Sequence, residues 1–253
     1  MSKDVMTAPV WLILGASSAI ARAFARAAAA EGADILLAGR DTADLEASAA
    51  DLVARFGRRA ETVDFDALDS AGHAATLQRA KSFAGEAPLN IFLAFGTMPS
   101  QDQIDADPTL IDGVISANYT GAVNLLHRAA PLFEAQRTGA IVVLTSVAGD
   151  RGRLKNYVYG STKGALGAYL QGLRARLFRS GVSVITVKPG PVDTAMSYGL
   201  NDMPLMAQPE TVAAACLKAV KKGTEVVYVP FPWWPIMTII KLIPERIFKK
   251  LNI

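Results

Sequence analysis

The feature that most constrains this chain is an alternation, repeated along its length, of short apolar runs with longer helix-like segments. Val10–Leu14, Asp34–Ala38, Ala60–Asp64, Asn90–Ala94, Ala140–Thr145, Ser183–Lys188 and Glu225–Val229 read as strands. Ser18–Glu31, Asp41–Phe56, Ser70–Ala84, Pro108–Arg137, Tyr157–Ser180 and Pro209–Lys222, lying between them, read as helices. A strand that returns to its sheet through a helix pairs in parallel, by a right-handed crossover. A composition 51% hydrophobic and 19% charged suits a sheet covered on both faces, whose strands are apolar rather than alternating. The expected fold is therefore α/β, a Rossmann-type doubly wound sheet of parallel strands with helices on both faces. The 253 residues suit one such domain, 1–230, followed by an apolar and basic segment, 231–253, too short to be a domain of its own.

A net charge of +3, without clustering, argues against nucleic acid as a partner. The single cysteine, Cys216, excludes an internal disulfide framework and fits a reducing compartment. The first ten residues, MSKDVMTAPV, lack the apolar core of a secretory signal, so a cytoplasmic location is expected. No metal-ligand pattern is present, and no metal is expected.

Doubly wound sheets bind ligands beyond the carboxyl ends of their strands. After the first strand stands Gly15-Ala16-Ser17-Ser18. Gly15 permits a tight turn, and a helix opening at Ala19 and Ile20 aims its free N–H groups at a pyrophosphate, with Ser17 or Ser18 as cap or phosphate ligand. A lone glycine before a helix is also an ordinary βα turn, and these residues alone leave both readings open. After the second strand comes Gly39-Arg40. An acid there binds both ribose hydroxyls, whereas an arginine accommodates a 2′-phosphate, so NADP(H) is favoured over NAD(H), which stays possible. Asp66, after the third strand, can accept a hydrogen bond from an adenine amino group or cap the following helix.

The stretch LTSVAGDRGRLKNYVYGSTKGALGAYL carries the chemistry. Tyr159 and Lys163 are four residues apart on a helix, a spacing that puts both on one face. A phenol with a pKa of about 10 is a poor acid or base at neutrality, and a nearby ammonium favours its ionised form. Tyr157 points elsewhere and has Ser161 at its own i+4 position. Ser146, at the carboxyl edge of the fifth strand, can hydrogen-bond a substrate oxygen.

With these residues in order, the sequence resembles the short-chain dehydrogenase/reductase family from Val10 to about Met196. The family's Tyr-x-x-x-Lys matches Tyr159–Lys163, and its serine matches Ser146, thirteen residues earlier. Its helix asparagine matches Asn118, and its Pro-Gly turn matches Pro189 and Gly190. The positions that hold the nicotinamide carboxamide match Val192 and Thr194, and Asp66 matches the adenine-binding aspartate. The family's Asn-Ala-Gly after the fourth strand is Ala94-Phe95-Gly96 here, so Gly96 is kept at the cofactor and the asparagine is not. Its glycine-rich turn keeps Gly15, while Ala19 and Ala21 replace the second and third glycines. On a helix with negative φ, alanine there costs no backbone strain.

The resemblance implies hydride transfer between a nicotinamide cofactor and a carbonyl or alcohol carbon. In that scheme Tyr159 handles the proton and Ser146 orients the oxygen. Lys163 binds the ribose and lowers the tyrosine pKa, and Asn118 holds a relay water. FDALD, NYTGA and the terminal IPERIFKKLNI further resemble a subgroup that reduces the 2-keto group of a polyprenyl-phosphate-linked pentose. Arg151, Arg153 and Lys155 form a basic loop suited to a sugar-linked phosphate. The tail interleaves Trp233, Trp234, Ile236, Ile239, Ile240 and Leu242 with Lys241, Arg246, Lys249 and Lys250. It suits a membrane interface, a subunit interface or a flap over the substrate. A homo-oligomer, peripheral at a membrane, is expected. Another small ketone, a steroid or an acyl compound are alternative substrates, and loss of Ser146, Tyr159 or Lys163 would have favoured a non-catalytic nucleotide-binding scaffold.

Overall fold

The computed structural model describes residues 8–197 and 204–251. Seven strands form one parallel sheet in the order β3-β2-β1-β4-β5-β6-β7. They are β1 (Val10–Leu14), β2 (Asp34–Gly39), β3 (Ala60–Asp64), β4 (Leu89–Leu93), β5 (Ala140–Leu144), β6 (Ser183–Pro189) and β7 (Val226–Val229). The strand order reverses between β1 and β4, which opens a crevice at their carboxyl ends. Leu14 pairs with Ala38 on one side and Leu93 on the other, so the segments after β1, β2 and β4 emerge side by side.

Alternate side chains of these strands feed two separate cores. Trp11, Ile13, Ile35, Leu37, Phe92 and Val142 meet α1 (Ala19–Ala30), α2 (Thr42–Phe56) and α8 (Pro209–Lys222) on one face. Leu12, Leu14, Leu36, Ile91, Leu93 and Val143 meet α3 (His73–Ala84), α6 (Gly121–Gln136) and α7 (Tyr157–Leu177) on the other. Phe24 of α1 stacks on Phe92 with ring centroids 3.9 Å apart. Alanine-rich α1 lies close to the sheet because Ala21, Ala25, Ala28 and Ala29 are buried and small.

The segment expected as one helix over Pro108–Arg137 is divided. It starts as α5 (Leu110–Ile115), passes through a π turn at Ser116–Thr120 and continues as α6. Helix α3 begins at His73 rather than Ser70, because the Asp69 carboxylate accepts hydrogen bonds from the Ala71 and Gly72 N–H groups in a turn. A short helix, α4 (Gln101–Ala106), opens on a Ser100/Gln103 capping box. The tail forms α9 (Trp233–Leu242) and α10 (Glu245–Phe248). Among the described residues no helix is long and apolar enough to cross a membrane.

Candidate active site

Gly15 has φ +76, and a Cβ on it would lie 2.8 Å from the Phe95 backbone nitrogen. The first turn thus needs glycine for its conformation and for the close approach of the segment after β4. Ser18 caps α1, its side chain accepting from the Ala21 N–H at 3.3 Å. Ala19 and Ala21 both lie within α1; Ala19 is exposed at its start, and Ala21 is fully buried against the sheet. Alanine therefore fits both positions on a regular helical backbone. Arg40 is exposed just beyond β2, with no hydrogen bond or ion pair among the described residues. Asp66 accepts from the Leu68 N–H at 2.9 Å and does not cap α3, which starts seven residues later at His73. Its capping role is thus excluded, and its adenine role stays a matter of position.

Helix α7 presents one buried stripe: Tyr159, Lys163, Leu166, Leu170, Leu173 and Leu177. The leucines anchor the helix in the core, and the same face carries the two polar residues to the sheet edge. Lys163 Nζ lies 5.8 Å from the Tyr159 ring centroid and donates to the Leu144 carbonyl at 3.3 Å. Leu144 ends β5, and Ser146 follows it with its hydroxyl accepting from the Ala148 N–H at 3.0 Å. Tyr157 donates to Asp105 of α4 at 2.9 Å, outside this group. Gly96 backs onto the same cluster; a Cβ there would lie 2.8 Å from Asn118 Oδ1 and 3.4 Å from Lys163 Nζ.

Burial dominates the electrostatics. It pushes Tyr159 up to about 12, against the opposing effects of the Ser146 hydrogen bond and the Arg153 charge. Burial also lowers Lys163 to about 8. The charge opposing that burial at Tyr159 is that of Arg153. Asn118 lies in the π turn, a motif frequent at functional sites. Its Oδ1 accepts from Thr97 N–H at 2.7 Å and its amide donates to Thr97 carbonyl at 2.8 Å.

The basic loop separates into distinct parts. Arg151 donates to the Ile240 and Ile243 carbonyls at 2.6 Å each, pairs with Glu245 at 2.9 Å, and stacks over Phe248 at 3.8 Å. It clamps the tail and is not presented to a substrate, because its donors meet the free carbonyls at the end of α9. Lys155 is exposed. Arg153 is half-buried, and its charge acts on Tyr159. The tail reaches the site directly: Trp233 and Met237 pack with Val147, the residue after Ser146, and the Trp233 indole rests against Gly190. Pro189 ends β6, and Val192 pairs with Ala207. Thr194 N–H donates to Ser197 Oγ at 3.1 Å. An open concavity of about 530 Å³ lies away from this cluster, between α2 and β3, and is lined by Glu46, Val53 and Glu61 among others.

A doubly wound sheet with a tyrosine, lysine and serine gathered at its carboxyl edge is the arrangement of a nicotinamide-dependent oxidoreductase. The family model described as short chain dehydrogenase matches residues 9–204, and the chain belongs to that family. An uncharacterized oxidoreductase of Streptomyces coelicolor is 37% identical over 254 residues, covering 99% of each chain. One of Mycobacterium tuberculosis is 34% identical over 249 residues, covering 98% of each. A short-chain dehydrogenase from Sphingobium yanoikuyae, solved in complex with NADPH, is similar in structure with TM-score 0.78 and 27% identity. The match covers 94% of this chain and 96% of that one.

The residues present fit such a cofactor. Lys163 Nζ is buried and, among the described residues, makes one hydrogen bond, to Leu144, which leaves donors for ribose hydroxyls. The start of α1 supplies N–H groups for a pyrophosphate.

Proposed function

We propose that this protein is an NADPH-dependent ketone reductase whose substrate is a 2-keto-pentose joined through phosphate to a polyprenyl chain, reduced at a membrane surface. The observation that carries the reductase reading is the joint placement of Ser146, Tyr159 and Lys163 at the end of β5 and the start of α7. When bound, the nicotinamide supplies a hydride to the carbonyl carbon. Tyr159, its proton held by a pKa of about 12, donates that proton to the carbonyl oxygen as negative charge develops there. Ser146 donates a hydrogen bond to the same oxygen and fixes its position. Lys163 holds the nicotinamide ribose and refills the phenol's proton. Asn118, in the π turn beside Gly96 and Lys163, holds the water that links Lys163 to solvent. Arg40, exposed just beyond β2, takes the 2′-phosphate.

The lipid-linked substrate is supported by the tail. Its inner face walls the site through Trp233, while Phe231, Trp234, Ile239 and Leu242 are 70%, 52%, 65% and 77% exposed. Lys241, Arg246, Lys249 and Lys250 are exposed around them, and their positive charge complements anionic headgroups. The test is NADPH consumption with a ketone panel that includes a polyprenylphosphoryl 2-keto-pentose. Selective reduction of that compound is expected; equal or faster reduction of small ketones or a steroid would overturn the substrate assignment.

A further inference from the structure

Ser146, Tyr159 and Lys163 belong to one packed unit, and the turn expected to take the nicotinamide belongs to another. In the first unit the short turn Val147–Gly149 lies directly on α7. A Cβ on Gly149 would lie 2.7 Å from the Gly164 nitrogen, and one on Gly160 would lie 2.7 Å from the Ala148 carbonyl oxygen. Ser146 is held to the same turn by the Ala148 N–H. The second unit is the end of β6, where Pro189 and Gly190 lead on to Val192 and Thr194. Backbone pairing joins the two units only as far as Val187, whose carbonyl accepts from the Thr145 N–H at 2.8 Å and from the Thr145 hydroxyl at 2.9 Å. Beyond that point β6 pairs with β7, Lys188 opposite Tyr228 and Pro189 opposite Val229.

Asp150 crosses the gap. It follows the turn directly, and its side chain is 2% exposed. One carboxylate oxygen accepts from Lys188 in an ion pair, and the other accepts from the Tyr228 hydroxyl at 2.6 Å. The Lys188 ammonium lies 3.5 Å from that hydroxyl, so the three side chains close a triangle just ahead of Pro189 and Gly190. Tyr228 also packs against the Trp233 and Met237 cluster of the tail. Desolvation of a buried carboxylate offsets much of its attraction to a cation, so such a pair is a weak source of stability. What it does supply is register. A short side chain with both oxygens committed admits one placement of the turn that carries it.

We propose that Asp150 is a positioning residue for hydride transfer: through Lys188 and Tyr228 it fixes the unit that carries Ser146 and Tyr159 against the turn that takes the nicotinamide. The proposal rests on the reading of the protein as a nicotinamide-dependent ketone reductase and holds for whichever ketone it reduces. With its oxygens engaged, Asp150 acts through its partners and not on the reacting atoms. It sets the distance between the hydride donor and the groups that hold the carbonyl oxygen, where an error of about 1 Å costs about a hundredfold in rate.

The experiment uses the full chain with NADPH and the ketone of the panel that wild type reduces fastest. It compares wild type, Asp150→Asn, Lys188→Met, the double variant and Tyr228→Phe, at a temperature where melting curves show each to be folded. Asp150→Asn should lower kcat about tenfold to a hundredfold, while the Kd for NADPH, by fluorescence, and the KM for the ketone stay within about threefold. Hydrogen exchange should rise in Val147–Asn156 and stay unchanged in β1 and α1. The double variant should lose no more than the worse single one, because both changes remove the same tie. Tyr228→Phe, which leaves the ion pair, should lose less. A purely structural role would lower the melting temperature and leave kcat of the folded protein at the wild-type value. That result would overturn the proposal, as would losses that multiply in the double variant. If Asp150→Asn does not fold, Lys188→Met and Tyr228→Phe carry the same comparison. A wild type that reduces no ketone of the panel would overturn the reductase reading and the proposal with it, whereas unchanged kcat in Asp150→Asn of an active enzyme would overturn the positioning role alone.

Discussion

Replacing Arg151 by alanine should release the tail from the catalytic loop and take activity with it. Arg151 makes two charge-assisted hydrogen bonds at 2.6 Å, to the Ile240 and Ile243 carbonyls. Bonds of this kind contribute about 1.5–3 kcal/mol each. Stacking over Phe248 at 3.8 Å adds about 1 kcal/mol. The Glu245 partner is 77% exposed, so that pair adds little. Water will replace part of what the carbonyls lose, so a net of about 3 kcal/mol is the working figure. At 1.36 kcal/mol per factor of ten, that is roughly a hundredfold rise in tail opening. Hydrogen exchange at the amides of α9 is the assay, because a C-terminal segment opens locally without global unfolding. Exchange in Trp233–Leu242 should accelerate about a hundredfold in Arg151→Ala, while the strands β1, β4 and β5 keep their protection. kcat/KM should fall with it, since Trp233 forms a wall of the site. Arg151→Lys, which cannot span two carbonyls and stack, should fall between. Unchanged α9 exchange would refute the clamp, and full activity with an undocked tail would refute Trp233 as a wall of the site.

Other outcomes follow from single side chains. Lys163→Met should raise the melting temperature at pH 7 while abolishing turnover. The folded pKa of about 8 lies below the ordinary 10.5, so the buried ammonium is a full penalty below pH 8 that fades as pH rises to 10.5. At 1.36 kcal/mol per pH unit this is about 3 kcal/mol, so melting of both proteins at pH 7 and pH 10 should show a gap that narrows; a gap independent of pH would contradict burial as the cause. Arg40→Ala should weaken NADPH binding at least tenfold and leave NADH binding within about twofold, read by fluorescence titration; equal effects on both would remove Arg40 from the 2′-phosphate. Phe231→Ser with Trp234→Ser should reduce co-sedimentation with anionic vesicles and spare reduction of a water-soluble ketone. Unchanged sedimentation would assign that face to another contact.

Much of the fold was legible because its signals are local. Apolar runs placed the strands to within a residue or two, and Gly15 marked the first turn. Tyr159 and Lys163 could be paired because four residues bring them round to one face of α7. The Ser100–Gln103 capping box was readable but marks a helix of only six residues, too short for a periodic pattern. The π turn at Asn118 was not legible, since a shift in hydrogen-bond register leaves no signature in residue types. Nor was the division of labour in the basic loop. Arg151 finds its partners 89 to 94 residues away, and nothing in RGRLK separates it from Arg153. The direction of the Tyr159 shift is hidden for a related reason. Spacing shows that Lys163 is near, but burial, which raises the Tyr159 pKa, is a property of the assembled core.

The proposed reaction turns on Tyr159, which delivers the proton in a ketone reduction driven by NADPH. A stoichiometric assay of Tyr159→Phe against wild type with the polyprenylphosphoryl 2-keto-pentose, alongside NADPH binding to both, isolates that step. Wild type should oxidise one NADPH for each keto group reduced. Tyr159→Phe should bind NADPH as tightly and lose at least a thousandfold in kcat. Turnover by the phenylalanine variant within tenfold of wild type would show that the proton comes from elsewhere.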